Sequence, residues 1–389
     1  KPNGFIQGLA DGIIAHAGGG DKRAEAKALY EWVVGNIRYV AVYADNGGIE
    51  PHYAIDIAKH GYGDCKDHAV LFEALLAARG IKSSPALINS GNAFKLPEYP
   101  TISPLNHVIT YIPEFDLYAD TTTQSVPFGI IPFYVRGKPT VLTALDKIGQ
   151  TPAMKADENI VKTKVVLKIQ PNGVINGVSK TEVSGPIESS YRASQEGNVG
   201  RNDEDIVNGL LSQYGETGSG KYEFTAPNDF TKPYEENGVF TLDPLSNFPG
   251  PAAMTIPVGL TQGRIYSIAK DKPLSTRKYP YSCFGRKYID NYEIEFPKDT
   301  KITRIPNNLS YTEDGMTYKA TYKKLGNIVN VDREMIIDNQ NMYCVPEREL
   351  QKQDFLTPLI GYMVLNLQVQ LHLRLQAVDR QLPHRRPDV

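Results

Sequence analysis

One stretch constrains this chain more than any other: Gly61-Tyr62-Gly63-Asp64-Cys65-Lys66-Asp67-His68-Ala69. It runs into Val70-Leu71-Phe72-Glu73-Ala74-Leu75-Leu76-Ala77-Ala78-Arg79, an apolar helical pattern, and stops at Gly80. The two glycines bend the chain, Asp64 is a good N-cap, and Gly80 is a stop signal. The pattern predicts a largely buried helix with Cys65 in its first turn. There the thiol meets unpaired amide N–H groups and the positive end of the helix dipole, a setting that favours a nucleophilic thiolate.

A cysteine so placed needs a base, and the base needs a partner. Downstream, Leu105-Asn106-His107-Val108-Ile109-Thr110-Tyr111-Ile112 and Leu117-Tyr118-Ala119-Asp120 read as two strands. Pro113-Glu114-Phe115-Asp116 is the turn between them. If Ile112 faces Leu117, His107 and Asp120 share one face as diagonal neighbours, with backbones roughly 7–8 Å apart. A slip of one residue would put them on opposite faces. Cys65, His107 and Asp120 thus form a candidate triad in that chain order.

These residues also carry a resemblance. Gly63-Asp64-Cys65-Lys66-Asp67 before a helix resembles the nucleophile motif of bacterial transglutaminase-like proteins. Asn106-His107-Val108 and Tyr118-Ala119-Asp120-Thr121-Thr122 resemble their histidine and aspartate blocks. Ile37-Arg38-Tyr39-Val40 and Pro51-His52-Tyr53-Ala54 resemble upstream segments of the same family. The resemblance covers residues 5 to 142. Residues 160 to 350 resemble, more weakly, the β-domain that follows the core in one bacterial subgroup. That subgroup usually has another β-domain before the core, so Lys1 is expected to be a truncation point.

The resemblance implies an α+β fold: a transglutaminase-like or papain-like cysteine-protease core, then an antiparallel β-domain. It implies thiol-dependent acyl chemistry on amide bonds, as hydrolysis or transamidation through a thioester. Asp120 would orient His107. The implied partner is a protein or peptide substrate, with an amine acceptor in the transfer case, and the implied location is the bacterial periplasm or cell envelope. The oxyanion would meet the backbone N–H of Cys65. Tyr43 lies in roughly the region where related enzymes place an aromatic donor; a packed core tyrosine is the competing reading. The alternative function is a catalytically idle scaffold whose β-domain binds a peptide or cell-envelope partner.

The rest of the chain bounds these readings. A length of 389 residues suggests two or three domains. The net charge of −2 gives no general attraction to nucleic acid or an anionic membrane. No apolar run reaches the roughly 20 residues of a membrane span. Of the three cysteines, Cys283 and Cys344 read equally as a disulfide or as two buried thiols. Cys65 and His68 make half a zinc spacing with no second half, so no metal and no cofactor are expected. Gly215 to Tyr222 nearly spells a phosphate loop, but Tyr222 stands where Ser or Thr should hold magnesium, and a glycine-rich loop before a strand is expected. His16, His52, His60, His372 and His384 have no constellation around them.

Helices are expected over residues 5–17 and 21–36, the second capped by Asp21, and over 54–59. A strand is expected from Ile37 to Tyr43, then a turn at 45–48. Residues 84–88 begin a sheet, 89–104 form a polar loop bordering the site, and 127–139 form a proline-punctuated crossover. Residues 1–145 make the catalytic domain, 146–160 a linker, and 161–350 an antiparallel β-domain interrupted by one helix near 205–214. Residues 351–389 are a C-terminal segment. From about residue 367 it is expected to be foreign to the family, although its alternation permits an edge strand.

Overall fold

In the computed structural model, residues 4–41, 50–244, 252–270, 278–339, 342–359 and 366–371 are described. Helices start where the sequence offers caps. α1 spans Gly4–His16 and α2 Lys22–Asn36; the Asp21 carboxylate accepts the Ala24 N–H at 2.8 Å and so caps α2. Next comes β1, Arg38–Tyr39, shorter than expected because Val40 and Ala41 are not strand; residues 42 and 43 lie outside the described residues. The parallel partner of β1 is β2, the pair Tyr62–Gly63, which ends at the helix cap Asp64, so no longer ladder is available. The expected turn at 45–48 lies outside the described residues. Between β1 and β2 lies α3 (Ala54–His60), and after them α4 (Cys65–Ala78).

The apolar faces of α1, α2 and α4 bury Ile6, Leu29, Val33, Leu71, Phe72 and Leu75 against one another and against a sheet. That sheet contains β3 (Ser84–Ile88), β4 (His107–Ile112), β5 (Leu117–Ala119), β6 (Pro139–Leu142) and β7 (Lys147–Gln150). Its order is β5-β4-β3-β6-β7, antiparallel throughout. Strand alternation sends Ile112, Leu117 and Ala119 to the helices. Ile109, Tyr118 and Ala86 go to the other face, which Ile131 and Val135 of the crossover cover.

The second region begins with a hairpin, β8 (Ile160–Ile169) and β9 (Ile175–Ser184), around Pro171-Asn172-Gly173. The strands β10 (Gly218–Phe224), β11 (Tyr234–Leu242), β14 (Arg286–Glu295), β16 (Leu309–Glu313), β17 (Met316–Leu325) and β18 (Ile328–Ile337) join it. They form one sheet in the order β10-β11-β9-β8-β14-β18-β17-β16. Two expectations need correction here. The sheet is antiparallel-rich but not wholly antiparallel, because β8 and β14 run parallel. A parallel pair needs a long crossover, and the chain between them supplies one. Nor is there a single helix: α5 (Glu188–Gln195), α6 (Asp203–Ser212), α7 (Arg264–Lys270) and α8 (Glu347–Leu356) are all present. α5 is polar along most of its length, so no apolar stripe announced it; it buries Tyr191 and Arg192.

Smaller pieces complete the region. β12 (Ala252–Thr255) and β15 (Thr300–Arg304) flank β20 (Asn366–Leu371), which therefore lies between partners and not at an edge. β13 (Tyr281–Ser282) pairs with β19 (Tyr343–Cys344), and a Cys283–Cys344 disulfide closes that pair. Gly218, Gly220 and Lys221 of the phosphate-loop look-alike lie within β10 itself.

The expected linker is also shorter and less free than its polar sequence suggested. Lys147–Gln150 is β7, paired with β6 in the first sheet. Met154 is 1% exposed in the second core, and the buried Asn159 accepts the Ile187 N–H at 2.9 Å. The polar residues of the junction are satisfied by the protein as well as by solvent.

Candidate active site

The start of α4 is fixed by a reciprocal cap. The Asp64 carboxylate accepts the N–H groups of Lys66 and Asp67 at 3.2 and 3.4 Å, and Asp67 accepts the Asp64 N–H at 3.2 Å. Gly63 is needed at this junction, since a Cβ there would lie 2.5 Å from the Asp67 Cβ. At the other end, the N–H groups of Gly80 and Ile81 close on the carbonyls of Ala77 and Leu76. The cap takes the amides of Lys66 and Asp67 and not that of Cys65, the first helical residue.

Asp67 is buried. It accepts the His52 N–H at 2.8 Å and lies 3.0 Å from His52 Nδ1. His52, unassigned in the sequence, thus ties the segment before α3 to the start of α4. Lys66 pairs with Asp64.

On the sheet, β4 and β5 pair Ile112 with Leu117, the register set by the Pro113–Asp116 turn. Past the end of that ladder, His107 Nε2 lies 2.9 Å from Asp120 Oδ2. Asp120 is fully buried, and the His107 side chain is 8% exposed. The other Asp120 oxygen accepts the Thr122 N–H at 3.0 Å and the Thr122 hydroxyl at 2.7 Å. The Tyr134 hydroxyl approaches Oδ2 at 3.5 Å, and its ring meets His107 edge-on with centroids 6.3 Å apart. From α2, the Tyr30 hydroxyl donates to the carbonyl oxygens of Asp120 and Val126 at 3.1 and 2.8 Å.

These contacts set the charges. For Asp120, burial is the largest influence and pushes its pKa up. The His107 charge and hydrogen bond, with the Thr122 bonds, outweigh burial and hold Asp120 below the usual carboxylate range. For His107, burial again comes first and pulls down. The Asp120 charge and hydrogen bond and a weaker hydrogen bond with Cys65 reverse it and raise the imidazole to about 10. Cys65 is therefore a neighbour of the His107 ring. With Nε2 on Asp120, Nδ1 is the nitrogen left for the thiol.

Two more titratable groups lie on α4. His68 is 1% exposed and lies beside Tyr39, the two rings tilted and their centroids 6.0 Å apart. Neither ring nitrogen has a well-formed hydrogen bond; the backbones of Thr121 and Arg38 come near enough to offset part of the lowering by burial. Glu73 accepts the Thr110 hydroxyl at 3.2 Å, and burial raises it to about 7.

The structure thus brings Cys65, His107 and Asp120 together. Tyr43 lies outside the described residues. Among the described residues, no group of three or more His, Cys, Asp or Glu side chains is arranged to hold a metal ion. No helix among them is long and apolar enough to cross a membrane. The sequence reading missed Thr122 and Tyr134. Asp120-Thr121-Thr122 carries a recognisable Asx-turn signal for Thr122. Tyr134 comes from the crossover and has no local signal.

Comparison with known proteins agrees with this architecture. Residues 7–87 match the transglutaminase-like superfamily, and residues 253–343 match DUF3858, a domain of unknown function with a solved structure. No curated protein matches. A solved structure from Parabacteroides distasonis, provisionally described as a protease, shares the fold with a TM-score of 0.56 at 10% identity. The match covers 94% of this chain and 55% of that one, so this chain spans little more than half of that structure's length. The first region has a transglutaminase-like core, and an antiparallel-rich β region follows it.

Proposed function

We propose that this protein performs thiol-dependent acyl chemistry on amide bonds of a protein or peptide. The observation that carries this reading is the buried His107–Asp120 pair beside Cys65 at the start of α4. The Cys65 thiolate attacks the amide carbonyl carbon, and the carbonyl π electrons move to oxygen. The Cys65 backbone N–H receives that oxyanion. The His107 imidazolium then protonates the leaving nitrogen as the C–N bond breaks, leaving a thioester and a neutral imidazole. Water, or an amine in a transferase, attacks the thioester while His107 takes its proton, and the thiolate leaves. Asp120 stays ionised throughout and orients the ring.

Hydrolysis is the version we favour, since the fold-sharing Parabacteroides distasonis protein is provisionally described as a protease. The Cys283–Cys344 disulfide supports an oxidising location, the periplasm or outer envelope of a bacterial cell. Labelling with an iodoacetamide probe tests the site directly, because Cys65 is the free cysteine. We expect His107→Ala to slow labelling, and Cys65→Ala to abolish peptide turnover while the melting temperature stays near that of the parent. Turnover retained by purified Cys65→Ala would remove the mechanism.

A further inference from the structure

The loop of residues 89–106 joins β3 to β4. The register pairs Ile88 with His107, so both ends of this loop close on the proposed base. Part of its shape is internal: Asn106 Oδ1 accepts the N–H and hydroxyl of Ser90 at 2.8 and 3.0 Å, and Asn89 Oδ1 accepts the N–H groups of Gly91 and Ala93. The rest of its support comes from outside the loop.

Lys138, 1% exposed, donates to the carbonyl of Asn89 at 2.9 Å and to that of Gly91. Its ammonium lies 4.9 Å from the centre of the Phe94 ring. Burying an ammonium is costly, and two carbonyls and an aromatic face are what offset the cost here. Phe94 also reaches beyond the first region. It packs against the second core, with its ring 5.2 Å from that of Tyr343. Beside it, the Ser282 hydroxyl donates to Asn92 Oδ1 at 3.4 Å.

Ser282 and Tyr343 are register partners in the β13–β19 pair, which Cys283–Cys344 closes. The two regions also meet next to Lys138: a Cβ on Gly137 would lie 2.3 Å from Met342 Cγ, and Met342 Sδ accepts the Met154 N–H at 3.2 Å. The contacts run in one line, from the disulfide through Tyr343 and Phe94 to the loop, and through Asn106 to His107.

We propose that the disulfide-closed β13–β19 pair is a positioning part of the thiol site, seating the loop of residues 89–106 and through it His107, so that opening the disulfide lowers Cys65 reactivity. This rests on the function proposed above. It gives a role to the stretch that matches a domain of unknown function, which contains Ser282, Cys283, Met342 and Tyr343. Opening requires a dithiol reductant: one thiolate attacks a sulfur of the bridge, the second displaces the mixed disulfide, and Cys283 and Cys344 leave as two thiols while the reductant becomes a disulfide. Phe94 and Lys138 are positioning residues, acting through the loop.

The test uses the full chain. The double variant Cys283→Ser/Cys344→Ser keeps Cys65 as its single thiol, so iodoacetamide labelling still reports one site. Misplacing a catalytic group by about 1 Å can cost about 100-fold; a loosened loop should cost less, about tenfold in labelling rate at neutral pH. The pH profile of labelling should move towards that of a free thiol. Phe94→Ala, which leaves the disulfide intact, should act in the same direction. In a His107→Ala background neither change should slow labelling further, because the positioned group is already gone. A general loss of packing would not show that dependence. A folded double variant, or a folded Phe94→Ala variant, with the parent's labelling rate and pH profile overturns the proposal. A parent chain whose Cys65 labels like a free thiol and ignores His107→Ala overturns the proposed function instead.

Discussion

Two buried carboxylates in this molecule each face a cation, and their charges differ. Asp120 faces His107 in the first region; Asp290 faces Arg333 in the second, where both are nearly buried. Burial pushes both acids up. Asp120 nevertheless ends below the usual carboxylate range, whereas Asp290 is raised to about 6, with only the Arg333 charge opposing burial. Hydrogen bonds separate the two cases. Asp120 accepts one from His107 and two from Thr122. The Arg333 Nε and one terminal nitrogen have no partner among the described residues. A nearby charge alone does not keep a buried carboxylate ionised; directed donors do.

The largest effect is expected from Asp120→Asn. The amide keeps some orientation of His107 and loses the charge, so turnover should fall by about 10³- to 10⁴-fold. The sign for His107 follows from its raised pKa: the ion pair is fully present below the ordinary histidine value and is lost as pH rises through about 10. In Asp120→Asn the alkaline limb of the labelling profile should therefore move down towards the ordinary histidine range. An unmoved limb would show that Asp120 does not set the charge of His107.

Asp290→Asn should do the opposite for stability. Its raised pKa means that the folded state holds a proton the unfolded chain has lost, so stability falls as pH climbs from about 4 to 6. Asparagine resembles the protonated acid. We expect a gain of about 1–3 kcal/mol above pH 6, vanishing below about pH 4, in urea melts at the two pH values. A pH-independent loss would mean that Asp290 and Arg333 form a working ion pair.

Thr122→Val isolates the hydrogen bonds themselves. Removing the hydroxyl donor should destabilise by about 1–2 kcal/mol at neutral pH and raise Asp120, measurable as an acid transition beginning at higher pH. Glu73→Gln is the mildest case, a half-buried acid raised to about 7 with no cation beside it. The amide should stabilise by about 1–2 kcal/mol at pH 8, partial exposure reducing the full effect, and by nothing below about pH 4. An equal effect at both pH values would point to packing against Thr110.

What the sequence made legible was local. Asp64 and Gly80 bracket α4 within twenty residues, and Pro113 to Asp116 sets the β4–β5 register across four, with Asp116 in the left-handed region at φ 47°. Alternation likewise announced the β8–β9 hairpin. The features that escaped depend on distant segments. Tyr134 reaches Asp120 from the crossover, His52 reaches Asp67 from before α3, and Cys283 could not be paired with Cys344 without knowing that β13 and β19 adjoin. The packed junction around Met154 escaped for the same reason: its partner, Met342, lies near the far end of the second region.

The parallel seam between β8 and β14 also bears on how the chain folds. β17 and β18 need close only the short turn from Leu325 to Ile328, and β8 and β9 only the turn after Ile169. The seam must bring Ile160 beside Lys287, with three strands of the same sheet and three α-helices lying between them in the chain. Loop-closure entropy makes such a pairing late and slow relative to the hairpins. Each flank of the sheet can therefore collapse as its own four-stranded unit before the two join. Until they do, β8 and β14 are open edges, able to recruit the wrong chain. Dilute refolding should succeed where concentrated refolding aggregates, with the vulnerable interval ending when the seam zips.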